Sequence, residues 1–439
     1  MLKLSSKSAL LFLLLWWQVA PAEDLVTVYG LALENDAELK IAESNYLAAL
    51  QALPLASSAR KPQVSFGANA SKRESDNSET GDSETDVVGY SVNLTQSLYD
   101  SETQGNIRVA EANTEAELAN LKAARQALIL RVARTYFSIL AAEDNVEFAY
   151  AERTAIARQL EQAQKRFEVG LIAITDVHEA QARFDNAEAQ AILAENILEN
   201  AFQSLALITA DSSTKQLAPL GPDLELALPN PATVESWVAL ALNNNLDLLA
   251  AQQRLNAARY ERDKQARSGY PTLDLFASYE DRDTDTDDSF LRDAQQDDLT
   301  VGLELQIPLY TGGRITAERS LAESEFVSAQ NTALLQNRLA VQQSRTAFLD
   351  VVSGISQVKA LKQANESSKI ALEATQAGFE VGTRTSVDVL ISLRETYRTQ
   401  RDYASSRYEY VLNKLRLKQA AGILTEDDLF EINLWLAKQ

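Results

Sequence analysis

The tetrapeptide Phe167-Glu168-Val169-Gly170 returns, letter for letter, as Phe379-Glu380-Val381-Gly382. Each copy interrupts a long helical pattern, and each is followed by the same dipeptide, Asp176-Val177 in one case and Asp388-Val389 in the other. The copies lie 212 residues apart, an offset kept by Tyr136 and Phe348. A period of that length is far too long for a solenoid repeat, so the chain reads as a duplicated half-molecule. Upstream the offset is 209, from Pro62 to Pro271 and from Ala32-Leu33 to Ala241-Leu242, and 211 from Leu98-Tyr99 to Leu309-Tyr310. Most of that drift falls between Pro62 and Leu98, which marks a surface loop that changed length while its scaffold did not.

Lys3 and Lys7, the apolar run from Ala9 to Trp17 and the Ala20-Pro21-Ala22 site form a secretory signal peptide over residues 1–22, so the mature chain is expected to begin near Glu23. No later stretch approaches the ~20 consecutive apolar residues of a spanning helix, and any membrane insertion must therefore use strands. The chain has no cysteine, which removes both disulfides and an acylated amino-terminal Cys. Sixty-two acidic against forty-one basic residues give a formal charge of −21, which repels nucleic acid and excludes it as an expected partner. Fifteen Gly and nine Pro in 439 residues point to long helices with few interruptions.

The first half, 23–210, opens with a helical region over 25–59, expected to kink at Pro54. At Pro62 the apolar period drops to two. Val64, Phe66, Ala68 and Ala70 line one face of a strand at 63–71, and Val88, Tyr90, Val92 and Leu94 line one at 87–97. A helix from about 102 to 166 follows, roughly 95 Å long at 1.5 Å per residue, with a heptad seam from Leu118 to Phe167 broken at Arg125, Thr135 and Arg153. After the Gly170 turn, the helix at 175–209 returns about half that distance. A proline-rich linker, 211–231, leads to the second half, 232–422, with helices at 233–268, 313–378 and 386–420 and strands at 272–280 and 299–307. Residues 423–439 resume an apolar pattern expected to pack on the linker as a collar. The strands have the 9 to 11 residues of tilted membrane strands, and four cannot close a barrel, so their edges ask for partner chains. The acidic stretches Lys72–Asp86 and Asp281–Asp298 read as solvated outward loops. Asp281, Asp283 and Asp285 have three EF-hand spacings, but Thr286 replaces the turn glycine and Arg292 the bidentate Glu.

No catalytic constellation is present, so no enzyme activity, metal or cofactor is expected. His178 is the sole histidine and has no ligand-spaced companion, and Gly312-Gly313 suits a strand-to-helix turn better than an anion site. The informative residues are at the tips of the two long helical hairpins: Val169-Gly170-Leu171 and Val381-Gly382-Thr383, followed by Thr175 and Asp176 in one half and Arg384, Ser386 and Asp388 in the other. Capping explains Thr, Ser and Asp at a helix start. It does not explain Arg384, because a cation is unfavourable at a helix amino terminus.

The strings at 169–177 and 381–390, the paired prolines and the Pro308-Leu309-Tyr310 to Gly313 turn resemble the TolC family of outer-membrane efflux and secretion channels, over about 24–436. The resemblance implies a mixed α and β fold in which three chains share one β-barrel of about twelve transmembrane strands, continued by a helical-hairpin α-barrel through the periplasm. It further implies that Arg384 of one hairpin bonds Thr175 and Asp176 of its neighbour, that Asp388 forms an acidic ring at the constriction, and that adaptors dock beside the two Val-Gly tips. Two positions depart from the family. Phe379 stands where a tyrosine partners the acidic residue, and Ile391 stands at the second acidic position. The lost hydroxyl would weaken the closed state by about 1 kcal/mol per chain. The implied function is a passive, trimeric outer-membrane exit duct for multidrug efflux or type I protein secretion, recruited by an inner-membrane pump and a periplasmic adaptor. The rival reading is a secreted coiled-coil structural or adhesive protein, with the strands as a soluble cap.

Overall fold

The computed structural model describes residues 22–77, 81–214, 216–222, 224–286 and 293–437. The signal-peptide reading therefore falls almost wholly outside the described residues, as do residues 78–80 and 287–292, Arg292 among them. The elements in chain order are α1 (Leu25–Asn35), α2 (Ala37–Ser58), β1 (Gln63–Asn77), β2 (Gly81–Tyr99), α3 (Ser101–Glu168) and α4 (Ile174–Thr209). The same order then occurs again as α5 (Val234–Asn244), α6 (Leu246–Ala266), β3 (Thr272–Thr286), β4 (Ala294–Gln306), α7 (Arg314–Glu380) and α8 (Ser386–Ala420), with a final α9 (Glu426–Asn433).

The first helical region is broken at Asp36, not at Pro54, through which α2 runs. The cause is a buried carboxylate with two tasks. Asp36 Oδ1 accepts the Leu39 N–H at 2.8 Å as the cap of α2, and Oδ2 receives Arg131 Nη2 of α3 at 2.7 Å. Asn245 does the equivalent between α5 and α6: its Oδ1 accepts the Leu248 N–H at 3.0 Å, and its Nδ2 donates to the Ala420 carbonyl at 3.1 Å.

The four strands form one antiparallel sheet in the order β1-β2-β3-β4. They are longer than the sequence pattern predicts, because the acidic stretches taken for loops largely continue the ladder, Lys72 opposite Asp86 and Asp283 opposite Gln295. Backbone pairing carries the strand on after the apolar alternation stops. The register places Phe66, Val92, Tyr279 and Leu299 in one row and Val64, Leu94, Ala277 and Val301 in the next, so the apolar residues of all four strands share one face. From the Leu273–Leu305 pair to the Ala70–Val88 pair that face runs about 33 Å along the strands, which at the 35–45° tilt of membrane barrels corresponds to about 25 Å of height, that of their apolar band. Val64, Phe66, Leu299, Val301, Leu303 and Leu305 stand exposed on it. Among the described residues β1 and β4 each have a single neighbour, and no helix is long and apolar enough to cross a membrane.

Below the sheet, α3 (68 residues) and α7 (67 residues) are rods of roughly 100 Å. The shorter helices stack along them. α2 and α4 pack on α3, while α6 and α8 lie between α3 and α7. The outer flanks are thus α2/α4 and α7, and both carry exposed apolar side chains such as Ile41 and Leu55, or Leu321 and Leu335. The main core sits partway down, around the fully buried Tyr136 and Tyr410. Tyr136 Oη donates to the Ala218 carbonyl at 2.7 Å, and Tyr410 Oη donates to the Ala227 carbonyl at 3.0 Å, which fastens the linker to the rods. The tail closes over it: Leu220 pairs with Leu436, and Gly221 N–H donates to the Trp435 carbonyl at 2.8 Å.

Candidate functional site

The two repeated tetrapeptides end α3 and α7 with the same hydrogen-bond pattern. Leu171 N–H donates to the Arg166 carbonyl and Gly170 N–H to the Phe167 carbonyl, both at 2.8 Å. In the second hairpin Thr383 N–H donates to the Gly378 carbonyl at 2.8 Å and Gly382 N–H to the Phe379 carbonyl at 3.1 Å. This is the Schellman closure, which needs a left-handed residue one past the cap; Gly170 has φ 75° and Gly382 φ 81°. The turns leave Val169, Leu171 and Val381 about seven-tenths exposed at the hairpin ends.

The two returning helices start differently. α8 is capped by Thr385, whose Oγ1 accepts the Asp388 N–H at 3.2 Å, while Asp388 Oδ2 accepts the Thr385 N–H at 2.9 Å and its hydroxyl at 3.0 Å. The hydrogen bonds from the Thr385 backbone and hydroxyl, with a smaller contribution from the charge of Arg384, hold the Asp388 carboxyl below its ordinary value. The capping reading therefore holds for Asp388, in a reciprocal box whose threonine the sequence reading passed over. It fails for Thr175 and Asp176. The cap of α4 is Ala173, which has no side-chain acceptor, and Thr175 and Asp176 lie inside the first turn. Among the described residues neither makes a side-chain hydrogen bond or ion pair within the chain, and the same is true of the exposed Arg384 guanidinium. A cation and a carboxylate are thus both presented at the tips without an ion-pair or hydrogen-bond partner in their own chain, Arg384 acting only on Asp388 and only through its charge. Ile391 is half exposed on α8, and His178 is exposed on α4.

Phe379 has a partner that no sequence pattern announces. The Arg166 guanidinium lies over its ring, 4.2 Å from the centroid. Higher up, α3 and α8 are joined by an ion pair between Glu152 and Arg401 Nη1 at 3.2 Å, and α3, α4 and α8 by a buried cluster of Ile156, Ala187, Leu390 and Leu393. Near the collar, Glu143 and Asp144 are two partly buried carboxylates on α3. Burial, with the charge of Asp144, pushes Glu143 up to about 7; burial also raises Asp144, opposed by a 2.7 Å hydrogen bond from Tyr408 Oη. Among the described residues no group of acidic, His or Cys side chains is arranged to hold a metal.

A family model described as outer membrane efflux protein matches residues 28–211 and 237–423. Outer membrane protein TolC of Vibrio cholerae serotype O1 is 38% identical over 417 residues, covering 94% of this chain and 94% of that protein. The alkaline protease secretion protein AprF of Pseudomonas aeruginosa is 28% identical over 426 residues, with 95% and 88% covered. Among solved structures, the CmeC outer membrane channel of Campylobacter jejuni superposes with a TM-score of 0.80 at 18% identity, covering 94% of this chain and 90% of that one.

Proposed function

The chain belongs to the outer membrane efflux protein family, and on that premise we propose that it is an outer-membrane exit duct for multidrug efflux and protein secretion, built as a homotrimer and gated at its hairpin tips. The observation that carries this reading is the direct joining of a membrane-height apolar sheet, open at both edges, to rods of roughly 100 Å. Three copies bring twelve strands, and the β1 edge of one chain meets the β4 edge of the next. The α2/α4 flank of one chain meets the α7 flank of the next in the same head-to-tail sense, a heterologous contact that closes into a ring.

The rods then extend into the periplasm and end at the tips. Arg384, which makes no ion pair or side-chain hydrogen bond in its own chain, reaches Thr175 and Asp176 of the neighbouring hairpin, which make none in theirs, and this link holds the duct shut. Asp388, kept ionised by its capping box, supplies a ring of negative charge at the constriction, and Ile391 makes that ring sparser than two acidic positions would. A periplasmic adaptor docks on the exposed Val169-Gly170-Leu171 and Val381-Gly382-Thr383 ends and brings an inner-membrane pump with it. Opening is a hinge-like movement of the hairpins once the Arg384 link breaks. The duct performs no chemistry.

Carbonate extraction of membranes, followed by native mass measurement in detergent, tests the assembly. The expected result is retention in the membrane and a mass of three chains. Release into the carbonate wash would favour the coiled-coil structural protein instead.

A further inference from the structure

Resting on the reading of the tips as a gate, we infer that Arg166 and Phe379 form a second latch, a cation–π contact that clamps the two hairpins of one chain to each other. Both side chains project from backbone that the Schellman turns have fixed. The Arg166 carbonyl accepts the Leu171 N–H, and the Phe379 carbonyl accepts the Gly382 N–H. The repeated Phe-Glu-Val-Gly turn thus aims one partner from each hairpin. The 4.2 Å separation is well inside the ~6 Å reach of a cation–π contact. Among the described residues Arg166 has neither a carboxylate partner nor a side-chain hydrogen bond, so nothing in its own chain competes with the ring.

The position gives the contact leverage. The Glu152–Arg401 ion pair lies fourteen residues up α3, about 20 Å away. Arg166–Phe379 is the most distal ring, ion-pair or hydrogen-bond contact between the hairpins among the described residues. The tips cannot part without separating it. Its chemistry also differs from that of the Arg384 link. The arginine cation is held by the face of an aromatic ring, so the clamp needs no carboxylate. Phe379 in place of tyrosine is then not simply a missing hydrogen bond. The ring binds the cation by its face and needs no hydroxyl.

The test is single-channel recording in planar bilayers of Arg384→Ala, Arg166→Gln, Phe379→Leu, Phe379→Tyr and the double variant Arg166→Gln/Phe379→Leu, each first checked as an assembled trimer by size-exclusion chromatography in detergent. The clamp predicts that Arg166→Gln and Phe379→Leu each raise open probability at least roughly two- to five-fold. The double variant should open no further than the larger single, and Phe379→Tyr, which keeps the ring and adds the hydroxyl, should open no more than the parent. Two results overturn the clamp while leaving the gate standing: Arg384→Ala opens the duct and both singles leave it closed, or the double equals the product of the singles. If Arg384→Ala leaves an assembled trimer at parental conductance, the gate reading itself falls and the clamp falls with it.

Discussion

Replacing Gly422 by Ala should destabilise the protein more than the same change at either tip glycine. Gly422 ends α8 at φ 72°, with its N–H on the Gln419 carbonyl at 2.8 Å. A Cβ there would lie 2.0 Å from the Asn244 carbonyl oxygen, 2.4 Å from its carbon and 2.8 Å from the Asn245 nitrogen, all backbone atoms of the joint between α5 and α6. That joint is held by Asn245, which caps α6 and binds the Ala420 carbonyl, so it can yield only by losing those bonds. The left-handed conformation costs a non-glycine residue about 1–2 kcal/mol. Overpacking adds about 1–3 kcal/mol, so Gly422→Ala should cost about 2–5 kcal/mol in all. Gly382 has a similar φ of 81° but nothing within 4 Å of the added methyl, leaving only the conformational cost. Thermal melting of the detergent-solubilised protein compares the two. Gly422→Ala should melt well below Gly382→Ala or fail to assemble, and equal melting of the two variants would refute the close-contact argument.

Other outcomes follow from the same geometry. Glu143 holds its proton more tightly folded than unfolded, so the stability it contributes is full below about 4.5 and lost as pH rises to about 7. Glu143→Gln should therefore raise stability at pH 8 by about 1 kcal/mol after allowance for solvent screening, seen as a higher melting point, and leave it unchanged at pH 4. Thr385→Ala removes the cap of α8 at a cost of about 1 kcal/mol, which should appear as faster amide hydrogen exchange confined to the first turn of α8. Arg384→Ala should raise antibiotic leakage into cells that carry the protein as their sole exit duct, and unchanged leakage at normal levels of the protein in the outer membrane would remove Arg384 from the proposed gate.

The layout was legible because each element carries its own period. Alternation from Val64 to Ala70 and from Leu299 to Ile307 can only be strand, and the offset between the Phe-Glu-Val-Gly copies exposes the two halves before any element is assigned. What escaped lies where a residue acts against the local pattern. Asp82, Glu84 and Asp86 read as loop because charge ends the alternation, yet the ladder with β1 continues to hydrogen-bond them into the sheet. Pro54 drew the predicted kink, while the break was made by Asp36, whose reason is Arg131 on another helix. Thr385-Ser386-Val387-Asp388 spells a capping box and was open to recognition. The Arg166–Phe379 contact was not, since no periodicity relates residues on two different hairpins.

The most direct test of the central claim is the conductance of the purified protein in a planar bilayer at low salt. The account predicts small, long-lived, cation-selective openings, as expected of a duct closed at rest behind an acidic constriction. Failure to insert, or a wide unselective pore in the parent protein, would contradict it.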